Sequence, residues 1–263
     1  MASWYVAIIL GIVEGLTEFL PVSSTGHLII TGHLLGFTGP KAETFEIVIQ
    51  LGAILAVVAL YWDRFFGLLR TNPQQRFSGP YGLWLLFLTS LPASIVGLLA
   101  HKYIKAYLFS PKTVAIALAV GAIFIFIVEG MSKDQKTDSL DKITPKLALG
   151  IGLFQCLALW PGFSRSAATI MGGMLLGAKR TVAAEYSFIA AVPIMFAATG
   201  YDFMKNYSLF EFSDLLFLAI GFVVSFISAW IAVKSFIYLL GKLTLRPFAI
   251  YRLALAPLVL FFL

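Results

Sequence analysis

Apolar residues run along this chain in long unbroken blocks. Residues 47–62, 81–100, 113–128, 147–164, 186–201, 215–233 and 253–263 contain no Asp, Glu, Lys or Arg. A helix crossing the hydrocarbon core of a bilayer needs about 20 mostly apolar residues. With polar ends allowed, the pattern predicts spanning helices at about 43–62, 81–101, 113–131, 182–202, 214–238 and 247–263. Two further segments behave differently. The first, about 4–36, is interrupted by Pro21-Val22-Ser23-Ser24-Thr25-Gly26, and the second, about 147–178, by Pro161-Gly162-Phe163-Ser164-Arg165-Ser166. Each reads as a half-helix, a polar break and a returning half-helix too short to span. Irregular backbone at membrane depth is tolerated only where protein shields it or a wet cavity receives it. Both segments are therefore expected to be re-entrant.

The two breaks are internal repeats. Gly11-Ile-Val-Glu14-Gly-Leu-Thr-Glu18-Phe-Leu-Pro21 aligns with Gly152-Leu-Phe-Gln155-Cys-Leu-Ala-Leu159-Trp-Pro161 with one gap, after which Ser23-Ser24-Thr25 faces Ser164-Arg165-Ser166. Each copy precedes three spanning segments, and an odd number inverts the second copy relative to the first. The expected fold is all-α and polytopic: six transmembrane helices plus two re-entrant helix-loop-helix segments in an inverted-topology internal repeat. Residues 1–263 form one integral membrane domain, with repeat 1 at about 1–131 and repeat 2 at about 145–263, joined by a polar cytoplasmic loop 132–144. Such architectures place their sites near the midplane, at the repeat interface.

Composition agrees with this. The 263 residues are 60% hydrophobic and 12% charged, against about 25% charged in soluble domains. That excludes a soluble enzyme, a disordered chain and a nucleic-acid binder, even though the net charge is +6. The single cysteine, Cys156, excludes a disulfide framework. The start, Met1-Ala2-Ser3-Trp4, lacks a basic region and no A-x-A-like site follows, so no cleaved signal peptide is expected. Loops 63–80, 132–146, 177–182 and 234–246 hold twelve of the nineteen Lys and Arg; Lys41, Lys102, Lys105, Lys112 and Lys205 lie on the other side. The positive-inside bias puts the twelve in the cytoplasm, with both termini and the first re-entrant mouth outside.

Scarce charge makes its exceptions informative. Intramembrane ionisable groups cost roughly 2.5–3.5 kcal/mol each on insertion scales and are functional by default. Glu14, Glu18, His27 and Arg165 all fall in the broken segments. Glu14 and Glu18 are four apart and share a helix face. Two carboxylates in one cavity repel unless a cation lies between them or one is protonated. Mg²⁺ typically combines one or two carboxylates with substrate phosphate oxygens; structural carboxylates bonded to neighbouring helices are the plainer alternative. Ser23, Ser24 and Thr25, and Ser164 and Ser166 around Arg165, stand where N-caps belong. Helix N-termini favour phosphate, and the Arg165 fork can bind its oxygens in pairs. His27, three residues after Ser24, shares its face as a candidate base. Thr169, one turn past Arg165, can donate to the same anion or to its own helix. Glu46 and Gln50 are candidates to extend the cavity, whereas Glu129, Glu185 and Arg252 are placed near helix ends, snorkelling or paired.

The stretches Glu14-Gly-Leu-Thr-Glu18-Phe-Leu-Pro21-Val-Ser23-Ser24-Thr25-Gly26-His27 and Leu159-Trp-Pro161-Gly162-Phe-Ser164-Arg165-Ser166-Ala-Ala-Thr169 resemble the two signature motifs of the bacterial undecaprenyl-pyrophosphate phosphatases, also called bacitracin-resistance proteins. The resemblance extends to Phe45-Glu46-Ile-Val-Ile-Gln50-Leu-Gly52 and to Arg246-Pro247-Phe-Ala-Ile-Tyr251-Arg252. It implies a multi-pass enzyme of the bacterial plasma membrane, open to the outer side. It would cleave undecaprenyl pyrophosphate to undecaprenyl phosphate and inorganic phosphate, recycling the carrier for peptidoglycan. The implied partners are a polyprenyl pyrophosphate substrate and membrane lipids, with no nucleic acid; a homodimer is left open. The implied cofactor is a divalent cation, Mg²⁺ before Ca²⁺, on Glu14 and Glu18. In the expected mechanism Ser24 attacks with help from His27, while Arg165, Ser164, Ser166, Thr169, Ser23 and Thr25 bind the pyrophosphate; an activated water is the competing nucleophile. A lipid transporter or flippase is the rival reading, because broken helices in inverted repeats are also a transporter signature.

Overall fold

A computed structural model describes residues 3–108, 110–131, 135–206 and 211–261. Of the stretches named above, residues 1–2, 132–134 and 262–263 and the side chain of Lys105 lie outside the described residues. Eleven α-helices are present among them: α1 Trp4–Thr17, α2 Ser24–Leu34, α3 Pro40–Leu60, α4 Trp62–Leu68, α5 Gly79–Tyr107, α6 Pro111–Met131, α7 Pro145–Gln155, α8 Arg165–Leu175, α9 Arg180–Asn206, α10 Leu215–Leu240 and α11 Arg246–Phe261. Prolines open several of them. Pro40, Pro111 and Pro145 stand at first helical positions, where their missing N–H is not needed. Thr144 caps α7 by accepting from the Leu147 amide at 3.2 Å.

Helices α3, α5, α6, α9 and α10 are each long and apolar enough to cross a membrane. Their outward faces are greasy: Leu98 and Leu99 on α5 are about 80% exposed, which suits contact with lipid. The protein is thus a multi-pass membrane protein. The sixth expected span is represented by α11, whose 16 residues reach only about 24 Å, short of a 30 Å hydrocarbon core. Helix α4 was not expected; its seven residues are too few to show a period.

Packing partners exchange in pairs. Helix α1 packs on α10 as α7 packs on α5; α2 touches α11 as α8 touches α6; α3 lies on α9, and α6 on α11. The broken helices approach their partners closely at matching glycines. A Cβ at Gly11 would lie 2.7 Å from the Gly221 carbonyl of α10, and one at Gly152 would lie 2.6 Å from the Thr89 carbonyl of α5.

The four basic loops meet on one face. Asp141 accepts from the Phe77 amide at 2.8 Å and pairs with Arg64 at 3.4 Å. Thr137 and the 177–179 strip exchange backbone bonds of 3.0 and 2.8 Å. Glu129 takes Arg180 in a two-pronged pair at 2.9 and 2.7 Å, and its Oε1 also accepts from the Leu245 amide at 2.6 Å. At the opposite end Lys41 pairs with Asp214 at 2.7 Å, joining the starts of α3 and α10. Hydrogen bonding from Lys41 holds the Asp214 carboxyl below its ordinary range.

Candidate active site

The two breaks share a backbone solution. Ser23 and Ser164 both have positive φ, 71° and 75°, the only non-glycine residues among those described to do so. That region is costly for side chains, by about 1–3 kcal/mol, and persists where the surroundings impose it. Each serine then caps the returning helix: Ser23 Oγ accepts from the Gly26 amide at 3.3 Å, and Ser164 Oγ accepts from the Ala167 amide at 3.2 Å. The strained turn aims the N-termini of α2 and α8 inward, where their first amides have no partner within the helix.

Different side chains occupy the first helical position after each cap. It is Ser24 on α2 and Arg165 on α8. Both meet Glu18, the buried C-cap of α1. Ser24 Oγ donates to Glu18 Oε2 at 2.6 Å, and Arg165 Nη2 donates to Glu18 Oε1 at 3.3 Å. Arg165 is further held by the Ser187 carbonyl at 3.4 Å, with its guanidinium carbon 5.4 Å from the centre of the Phe19 ring. Ser166 donates to the Leu20 carbonyl at 2.8 Å and so ties the second break to the first. Thr169 donates to the Arg165 carbonyl at 2.9 Å and shares a 2.5 Å hydroxyl contact with Ser187.

A cavity of about 300 Å³ opens beside this cluster. Glu18, Ser23, Ser24, Thr25, Gln50, Gln155, Ser164 and Arg165 supply its polar wall; Ala93, Ala158, Leu159, Ile194, Met195 and Ala198 supply an apolar one. Of the expected site residues, Glu18, Ser23, Ser24, Thr25, Ser164 and Arg165 therefore line the cavity. Ser166 and Thr169 are buried behind it. Thr169 bonds its own helix and Ser187.

His27 departs from its expected partner. Its Nδ1 lies 2.7 Å from the Ser23 carbonyl and its Nε2 lies 2.6 Å from the Tyr251 hydroxyl, with the two rings stacked at 7°. A carbonyl only accepts, so Nδ1 carries the proton. Neither nitrogen reaches Ser24, whose hydroxyl turns back to Glu18. The helix-face argument failed because Ser24 is the first residue of its helix and bonds to the segment before it.

Glu14 is fully buried one turn before Glu18, outside the cavity wall, and neither of its carboxylate oxygens has a hydrogen-bond partner. It feels the charges of Glu18, Glu46 and Arg165. A desolvated carboxylate without donors takes up either a proton or a neighbouring cation. Among the described residues no three acidic, histidine or cysteine side chains gather as a metal cage. A hard divalent ion on Glu14 and Glu18 would therefore have to draw its remaining ligands from substrate oxygens and water.

Sequence reasoning placed Arg252 at a helix end, snorkelling or paired. The structure corrects this: Arg252 is completely buried and donates to four backbone carbonyls. The reason is register. Helix α11 starts at Arg246, so Arg252 lies nearly two turns in, on the face against α6. Tyr251, Ser187 and Gln155 were missed as site neighbours; Gln155 had left a signal as the repeat equivalent of Glu14 and Tyr251 as part of the resembling stretch 246–252, whereas Ser187 had left none.

These features define a multi-pass helical membrane protein with a polar cavity built where two helices break. Residues 7–258 match the family model described as "Bacitracin resistance protein BacA", and the chain belongs to that family. It is 76% identical over 262 residues to the protein named undecaprenyl-diphosphatase in Maridesulfovibrio salexigens, covering 100% of this chain and 99% of the relative. Proteins of the same name in Nitratidesulfovibrio vulgaris and Lawsonia intracellularis are 71% and 60% identical, again over nearly the full length of both chains.

Proposed function

We propose that this protein hydrolyses undecaprenyl diphosphate to undecaprenyl phosphate and inorganic phosphate, which returns the lipid carrier to cell-wall synthesis and opposes bacitracin. One observation carries the reading: Ser24 and Arg165, from different repeats, bind the two oxygens of one carboxylate, Glu18, at the edge of a cavity. Full-length relatives named for this activity support it.

In the proposed reaction the diphosphate lies against Arg165, Ser164, Ser23, Thr25 and the amides of α2 and α8. Ser24 Oγ attacks the terminal phosphorus as its proton passes to Glu18 Oε2. The bond from that phosphorus to the bridging oxygen breaks, and undecaprenyl phosphate departs. Water then attacks the phosphoserine, the bond from phosphorus to Ser24 Oγ breaks, Glu18 returns the proton to that oxygen, and phosphate leaves with the proton of the water. Arg165 stabilises the charge that spreads over the transferred group. Glu18 replaces His27 as proton acceptor, because both His27 nitrogens are already engaged. A divalent cation on Glu14 and Glu18, when bound, would neutralise diphosphate charge.

The exchange of packing partners between halves favours the inverted repeat of 1–131 and 145–263, with α11 as a short sixth span and α1–α2 and α7–α8 as re-entrant pairs. The interlocked basic loops then mark the cytoplasmic face of the bacterial inner membrane. The apolar cavity wall climbs α9 from Ile194 to Ala198, away from that face, which supports an outward mouth and lateral entry of the lipid tail. The same exchange of partners also suits a lipid carrier protein. The test is phosphate release from a polyprenyl diphosphate by purified protein, with and without chelator. Metal-dependent release is expected; no release from folded protein, with lipid moving between leaflets of a vesicle, would favour the carrier.

A further inference from the structure

Arg252 is the largest completely buried side chain among the described residues, and none of the chemistry above uses it. Its four donations are not arbitrary. Nε reaches the Leu118 carbonyl at 3.2 Å and Nη2 the Ala117 carbonyl at 3.2 Å, which fixes the guanidinium to α6. Nη1 then reaches the Pro21 carbonyl at 3.3 Å, and Nη2 the Gly162 carbonyl at 3.1 Å. Pro21 stands two residues ahead of Ser23, and Gly162 two ahead of Ser164. One guanidinium therefore grips the equivalent carbonyl of each break. No carboxylate among the described residues pairs with it. Carbonyl dipoles and the Phe163 ring, whose centre lies 5.9 Å from the guanidinium carbon, hold the charge, an expensive arrangement to retain for packing.

We infer that Arg252 is a positioning residue that fixes the two helix breaks relative to each other, and with them the Ser24–Glu18–Arg165 geometry. The inference rests on the reading of that cluster as the phosphoryl-transfer site. The guanidinium suits the task because its donors form a rigid planar fork, whereas a lysine ammonium is a point charge on a flexible stem. Gly121 belongs to the same device. A Cβ at that position would run into the Arg252 guanidinium, so the α6 backbone leaves room for the fork. A displacement of about 1 Å between reacting groups can cost on the order of 100-fold in rate.

Two variants approach the brace from opposite sides. Arg252→Lys keeps the charge and loses the fork; Gly121→Ala keeps the arginine and pushes it. Each is read by kcat and KM on a polyprenyl diphosphate, and by hydrogen exchange at residues 18–26 and 160–168. Both variants should lower kcat by about 10- to 100-fold with KM nearly unchanged. Both should speed exchange in the two breaks together, and the double variant should be no worse than the more damaged single. Near-normal kcat in Arg252→Lys would mean that charge alone suffices and would overturn the inference. So would faster exchange confined to one break, or unchanged exchange in both. If either variant fails to fold, the other decides. A wild-type protein that releases no phosphate would instead refute the functional reading, while exchange still tests the brace.

Discussion

The break after α1 and the break after α7 are two copies of one backbone device carrying two different chemistries. Both turn on a serine at positive φ, both cap the returning helix with that serine, and both give Arg252 the carbonyl two residues before it. The first copy then presents Ser24 behind Glu14 and Glu18. The second presents Arg165, with Gln155 and Leu159 at the positions of the two glutamates. The comparison teaches that symmetry supplies the scaffold, two inward helix N-termini, while asymmetry sets which side chains meet at Glu18. A symmetric site with two arginines would bind anions without a nucleophile; one with four glutamates would repel them.

The largest expected effect separates the copies. Ser24→Ala should lower phosphate release by about 1,000-fold or more, as loss of a nucleophile does, and should abolish any acid-stable phosphoprotein trapped on rapid quench. Arg165→Lys should cost about 100-fold, because the forked contact with developing charge is lost although the positive charge stays. A lysine variant with full rate would show that the second break supplies only charge.

Glu14→Gln sharpens the comparison, since it writes the second copy's residue into the first. If a buried carboxamide serves as well as it does at Gln155, activity will survive. The cation reading predicts a loss of about tenfold or more, about 1.4 kcal/mol, and a smaller rise in Tm on adding Mg²⁺ to the substrate-free protein.

The smallest effect probes the shared turn. Ser164→Gly removes a cap but relieves the positive φ, so stability should change by only about a few tenths of a kcal/mol. Ser164→Ala removes the cap and keeps the strain, and should cost about 1 kcal/mol. Thermal unfolding in detergent compares the two.

Most of the architecture was legible because it follows from composition and interruption. Long charge-free blocks gave α3, α5, α6, α9 and α10, and the Pro-Val-Ser-Ser and Pro-Gly-Phe-Ser runs gave both breaks. The cavity residues were legible because an ionisable group inside an apolar block must do something. Azimuth and long-range partners were hidden. Arg252 and Tyr251 look alike by sequence, yet one faces α6 and the other reaches His27. Ser187 sits in an apolar run, and only the fold brings it to Thr169 and Arg165. The Ser24–His27 pairing failed because spacing on a helix does not foresee a hydroxyl at its first residue turning back toward the preceding segment.

The division of labour is tested most directly on one preparation of the Ser24→Ala variant, measuring both binding of a polyprenyl diphosphate and release of phosphate. The account predicts near-normal binding, since Arg165 and both helix N-termini remain, together with almost no release. Turnover close to that of the wild type would contradict it.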